Sequence, residues 1–267
     1  MIQRYFGLNR LPFDRALPPS DLFQSQGWQE LCARLDYIVK SRALGVITGE
    51  IGAGKSTAIR ALAARLDPIR NPLLYIADSS LEPRGFYREV LAQFGITPAF
   101  QQRDARRQFE RAFLDAYENQ GKQPVLVIDE AHLLSTSMLA EVRFLTSFRF
   151  DSFSPFALIL VGQSELRSTL RLRAFEAIRQ RVAVRYHLSG LREQETSAYI
   201  EHSLKQAGAT RPLFTGAAIA QIHAFAHGIP RLTNTLSTAC LLDACTQNAQ
   251  LVDTENVHRA QLDLEQL

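Results

Sequence analysis

Residues 49 to 56 read Gly49-Glu50-Ile51-Gly52-Ala53-Gly54-Lys55-Ser56, a complete G-x-x-x-x-G-K-S/T pattern, and no other stretch constrains the fold as much. The run before it, Leu44-Gly45-Val46-Ile47-Thr48, is short, apolar and β-branched, whereas Thr57 to Leu66 has helical spacing and strong helix formers. A phosphate-binding loop needs this strand, loop and helix in this order. Its glycines let successive backbone N–H groups turn toward one anion, and the helix N-terminus adds partial positive charge. Lys55 can reach β- and γ-phosphates, and the Ser56 hydroxyl can ligate Mg²⁺. Gly49, Glu50, Ile51, Gly52, Ala53, Gly54, Lys55, Ser56 and Thr57 are therefore the candidate nucleotide contacts, with Mg²⁺ beside them. A glycine-rich turn without a ligand is the competing reading, and the full pattern in this setting argues against it.

At 267 residues and 46% apolar composition, the chain suits one large α/β domain or a core with a smaller appendage. A formal charge of +3 permits an anionic partner without demanding one. Cys32, Cys240 and Cys245 form no C-x-x-C, so neither a disulfide framework nor a zinc site is supported, and a reducing cytoplasm is expected. No stretch approaches the roughly eighteen uninterrupted apolar residues of a membrane span. The N-terminus, with Arg4, Asn9 and Arg10, lacks a signal-peptide apolar core. A soluble, cytoplasmic protein is the expectation.

Four more strand patterns follow the loop: Leu73 to Asp78, Val125 to Asp129, Phe156 to Gly162 and Val182 to Leu188. Helix-patterned sequence separates them, as in a parallel sheet of right-handed β-α-β units. From Ser189 the strand signals cease, and 190–208, 215–227, 230–248 and 253–264 read as helices. The boundaries expected are thus 1–189 for a nucleotide-binding core with an N-terminal arm and 190–267 for an all-α domain. The aromatics Phe86, Tyr87, Phe109, Phe113 and Tyr117 read either as core or as a docking face, with core favoured.

Chemistry concentrates at strand ends. Val125-Leu126-Val127-Ile128-Asp129-Glu130 is an apolar strand closing on two carboxylates, a Walker B pattern. Asp129 would hold Mg²⁺, and Glu130 would orient or deprotonate the attacking water. The fourth strand closes on Gln163, whose amide could contact the γ-phosphate or could simply cap the next helix. Arg171, Arg173, Arg179, Arg181 and Arg185 crowd before and into the fifth strand. Arg181, with Arg179 next, is the candidate for a transition-state cation supplied to a neighbouring subunit, against a solvated or DNA-facing basic helix end. Gly228-Ile229-Pro230-Arg231 puts an arginine in a helix first turn, where the dipole disfavours it, which points to an anionic partner such as a bound nucleotide, against an ordinary surface arginine.

With these motifs in order, the chain resembles an AAA+ ATPase with its helical lid. More narrowly, Tyr5-Phe6-Gly7-Leu8 with Pro12-Phe13, Val127 through Leu134, Leu160 through Leu166 and Gly228 through Leu232 resemble the ExeA-like group and the transposition-helper ATPases of TnsC, TniB and IstB type. The resemblance implies an α/β P-loop NTPase with a five-stranded parallel sheet in the order 5-1-4-3-2 and a C-terminal all-α lid. It also implies nucleotide at a subunit boundary in a ring or filament, Arg181 acting in trans and Arg231 in cis. Phe6, Pro12 and Phe13 would pack around adenine, or else serve the core.

Two functions remain open. A transposition helper would assemble on duplex DNA with ATP and recruit or activate a transposase. Arg103, Arg106, Arg107 and Arg111 would then form a phosphate-contacting stripe on a helix over 102–118, although Asp104 and Glu110 interleave it. The chain's length favours this reading over the alternative, an ExeA-like secretion or envelope-assembly ATPase acting on protein partners.

Overall fold

The computed structural model describes residues 1–14, 16–78, 80–149 and 152–265. It contains the strands β1 (Leu44–Gly49), β2 (Leu73–Ile76), β3 (Val125–Ile128), β4 (Ala157–Gly162) and β5 (Val182–Leu188). Its helices are α1 (Ile2–Phe6), α2 (Gln26–Ser41), α3 (Lys55–Arg65), α4 (Pro83–Gln93), α5 (Gln102–Glu118), α6 (Thr136–Leu145), α7 (Glu165–Arg171), α8 (Glu176–Arg181), α9 (Glu193–Gln206), α10 (Gly216–Ala226), α11 (Pro230–Thr246) and α12 (Thr254–Glu265). The chain divides into two compact units, one of Glu30–Gly49 with Lys55–Leu188 and one of Met1–Gln29, Glu50–Gly54 and Ser189–Leu267.

The first unit holds the whole sheet, ordered β2-β3-β4-β1-β5 with every pairing parallel. That is the expected order read from the opposite edge. β1, β3 and β4 are buried at every position, as sheet interiors covered on both faces must be. Gly45 lets α2 lie against β1, since a Cβ there would stand 2.2 Å from Ile38 Cδ1. One face is closed by an aromatic cluster. Phe109 and Phe113 of α5 meet Phe156, with the Phe113 and Phe156 rings 4.3 Å apart, and Phe86 and Tyr87 of α4 pack beside them. Four of the five aromatics singled out in the sequence are thus core, while Tyr117 is half-buried against Phe153.

The second unit is built around α9 to α12 and has its own apolar core of Ile200, Ile222, Leu236, Leu241 and Val257. Ile2, Phe6, Leu8 and Phe13 of the N-terminal arm belong to that same core. The arm therefore groups with the C-terminal helices, whereas the expected boundaries put it with the sheet. The reason is local: the Asn9 N–H donates to the Ala207 carbonyl at 2.8 Å, and Arg10 clasps the Gln206 carbonyl and side-chain amide, each at 2.8 Å. Downstream, the Asp21 carbonyl lies 2.7 Å from His202 Nε2. Arm aromatics offer apolar area that α9 to α12 can bury.

Candidate nucleotide site

The loop starts where β1 ends. Gly49 must lack a side chain, because a Cβ would stand 2.6 Å from the Leu188 carbonyl oxygen of β5. Lys55 opens α3 almost buried, 7% exposed, and its ammonium donates to the Gly49 carbonyl at 2.7 Å. Gly52 and Gly54 have φ of +84° and +108°, backbone that other residues seldom adopt. Within the helical unit, the apex Glu50–Gly54 meets the start of α11. The Arg231 N–H donates to the Gly52 carbonyl at 3.3 Å, and a Cβ on Gly52 would fall 2.4 Å from Arg231 Cβ. Pro230 at the first turn and Arg231 after it are thereby fixed beside the loop, with the Arg231 side chain exposed.

Asp129 follows β3 and is 4% exposed. Its Oδ2 accepts from Ser56 Oγ at 3.1 Å and from the Tyr75 hydroxyl of β2 at 2.5 Å, while Oδ1 accepts from the Glu130 N–H at 2.8 Å. Register explains the Tyr75 contact: Tyr75 pairs with Val127, and the Asp129 N–H continues the ladder onto Ile76. Burial and then the hydrogen bond to Asp129 push the Tyr75 phenol well above its ordinary range, so it is a permanent donor. Ser56 and Asp129 offer a hydroxyl and a carboxylate 3.1 Å apart, hard oxygens of the kind that Mg²⁺ takes.

Glu130 has a φ of +48°, a left-handed backbone that costs a non-glycine residue energy and that clusters at functional sites. Its side chain is 44% exposed. A 3-10 turn, Ala131–Leu133, brings His132 back so that Nδ1 lies 3.5 Å from Glu130 Oε2. The same ring places Nε2 2.8 Å from Gln163 Nε2, and the Gln163 N–H points at Nδ1 from 3.4 Å. Gln163, half-buried at the end of β4, is therefore joined to the turn after β3.

The basic run ends α8. Arg181 donates to the Ala177 carbonyl of its own helix at 3.1 Å, and Arg179 faces Glu176 at 3.5 Å. Arg179 also borders a cavity of about 240 Å³ beside β5, together with Arg167, Arg171 and Arg185, over Val46 and Val182. On α5 the stripe is uneven. Arg103, Arg107 and Arg111 are exposed, but Arg106 turns inward to Glu110 at 3.3 Å and to the buried Glu141 at 3.6 Å, its guanidinium 3.9 Å from the Phe144 ring centroid. In the helical unit Phe6, Pro12 and Phe13 are all buried, and Phe6 and Phe13 spend their rings in the core.

A family profile described as an AAA domain matches residues 38–170. This chain carries an AAA domain. The matched AAA segment contains the phosphate loop, Asp129, Glu130 and Gln163. General secretion pathway protein A of Aeromonas hydrophila is 31% identical over 255 residues, covering 94% of this chain and 46% of that protein. The chain thus spans about half the length of that relative. Among solved structures, Cdc6p from Pyrobaculum aerophilum matches with a TM-score of 0.69 at 12% identity, over 94% of this chain and 70% of that one. Drosophila ORC bound to DNA matches with a TM-score of 0.67 at 16% identity, over 97% and 64% of the two chains. Such identities establish the P-loop AAA+ fold alone.

Two neighbours of the AAA motifs escaped the sequence reading, Tyr75 and His132. Tyr75 occupies the one exposed position of an otherwise apolar strand, which in the sequence is indistinguishable from a surface tyrosine. His132 lies within the Val127 to Leu134 stretch, but only the 3-10 turn reveals that it looks back at both Glu130 and Gln163.

Proposed function

We propose that this chain is an ATP-hydrolysing AAA+ switch acting on a protein partner in secretion or envelope assembly. The 31% identity to general secretion pathway protein A across 94% of the chain is the single observation that carries this reading over a DNA-centred one. The joined Ser56, Asp129 and Tyr75 cluster beside a complete phosphate loop supports hydrolysis.

In this reading Ser56 and Asp129 would hold Mg²⁺, which would supply charge neutralisation for the transferred phosphoryl group. Lys55 leaves the Gly49 carbonyl for the phosphates, exchanging a neutral acceptor for a charged one. Glu130 accepts a proton from the attacking water, and Gln163 donates an amide N–H to the terminal phosphoryl group. Arg231, fixed beside the loop apex, adds a cation from the lid. Arg181 or Arg179 supplies the trans cation within a homo-oligomer.

The test combines hydrolysis, nucleotide binding and assembly, with and without duplex DNA at low and moderate salt. Lys55→Ala is expected to lose nucleotide binding, and Glu130→Gln to keep it while hydrolysis falls about 100-fold or more. Indifference of rate and assembly to DNA supports a protein partner. DNA-stimulated assembly, lost on changing Arg103, Arg107 and Arg111 together, would instead favour the transposition-helper reading, for which those three exposed arginines are the supporting observation.

A further inference from the structure

His132 occupies a position that neither the loop nor the Walker carboxylates explain. Its side chain is 9% exposed, and Gly162 makes room for it: a Cβ on Gly162 would stand 3.1 Å from the His132 backbone nitrogen and 3.5 Å from Nδ1. Nδ1 therefore faces an acceptor, Glu130 Oε2 at 3.5 Å, and a donor, the Gln163 N–H at 3.4 Å. Among the described residues Nε2 faces the Gln163 side-chain amide alone, at 2.8 Å.

A neutral imidazole has one N–H and one lone-pair nitrogen, so it cannot serve both neighbours of Nδ1 at once. If Nδ1 carries the proton, it donates toward Glu130, and Nε2 accepts from the Gln163 NH₂ group. If Nε2 carries the proton, Nδ1 accepts from the Gln163 backbone N–H. Nε2–H then needs an acceptor, and Gln163 provides one by turning its amide so that Oε1 faces the ring. The ring's proton count is the same in both arrangements. What differs is that the second leaves both Glu130 oxygens open to a water and turns the Gln163 NH₂ group away from the ring, toward any phosphoryl oxygen.

We propose that His132 is a positioning residue whose tautomer ties the orientation of the Gln163 amide to the availability of the Glu130 carboxylate. Recognition of a terminal phosphate by Gln163 and release of Glu130 toward water are then one event. This rests on the ATPase reading of the same site.

Two measurements test it, the first independent of hydrolysis. Long-range ¹H–¹⁵N correlation spectra of protein labelled at histidine report which ring nitrogen of His132 bears the proton. The wild type without nucleotide is expected to be protonated at Nδ1, and Gln163→Ala to shift His132 toward the other tautomer. An unchanged His132 pattern in Gln163→Ala overturns the proposal whether or not the protein hydrolyses ATP. Addition of the non-hydrolysable analogue AMP-PNP with Mg²⁺ is expected to move wild-type His132 to Nε2–H. Bound analogue with no change in tautomer also overturns the proposal, whereas failure to bind the analogue counts against the ATPase reading instead.

The second measurement is a double-mutant cycle. His132→Ala should lower kcat about 10- to 100-fold, with KM for ATP within about twofold and an unchanged melting midpoint. Combined with Gln163→Ala it should be no slower than the slower single variant, because one acts through the other. Multiplicative losses would place the two residues on separate paths and sink the idea.

Discussion

At the residue scale, the site is a set of polar groups that hold one another. Tyr75 is informative because its hydroxyl donates to the Asp129 carboxylate and restrains it. Tyr75→Phe keeps the ring and removes that restraint, so the Mg²⁺ concentration for half-maximal hydrolysis should rise about 10-fold or more, read from a Mg²⁺ titration at fixed ATP. The arginines of α5 separate by partner. Arg106→Ala leaves the buried Glu141 with the Tyr87 hydroxyl at 2.5 Å but without its cation, and should cost about 1–3 kcal/mol in denaturant unfolding. Arg103→Ala, Arg107→Ala and Arg111→Ala should each stay within about 0.5 kcal/mol. The four look alike in the sequence, because what distinguishes Arg106 is Glu141, thirty-five residues away and on another helix.

Elements were legible where a periodic pattern met a clear stop. α5 has the bounds expected for the arginine-bearing helix, 102–118, and β1, β3 and β4 follow from buried apolar runs. The phosphate loop and the carboxylates after β3 could be read because each is contiguous in the chain. Gln163 with His132 could not, because their meeting depends on the register of β3 against β4 and on the absence of a side chain at Gly162. Between α11 and α12 another such link is visible: Asp243 accepts from Arg259 at 2.9 Å and from Asn256 at 2.8 Å. Burial alone would raise the Asp243 carboxyl, but the hydrogen bonds from Arg259 and Asn256 outweigh it and hold the group below its ordinary value. A carboxyl depressed in the folded state stabilises above its unfolded pKa and loses that contribution as pH falls through its folded one. The helical unit should therefore lose stability below about pH 4, and Asp243→Asn should flatten that part of the profile, followed by circular dichroism melts from pH 7 to pH 3.

At the scale of the whole molecule, two apolar cores share no residue. Calorimetry should show a transition broader than a single two-state event, and removal of Met1–Gln29 should lower the stability of the helical unit while leaving that of the sheet unit nearly unchanged. Fluorescence of Trp28, inside the deleted segment, cannot report this, so protease protection of each unit is the suitable measurement. No helix among the described residues is long and apolar enough to cross a membrane.

The sharing of one core between the arm and α9 to α12 also has a bearing on biosynthesis. Ile2, Phe6, Leu8 and Phe13 leave the ribosome before the helices that cover them, which are encoded after residue 189. Throughout translation of the intervening sheet, those side chains are a sticky leader without a home, and the nascent chain depends on either rapid completion or a chaperone to keep them from neighbouring polypeptides.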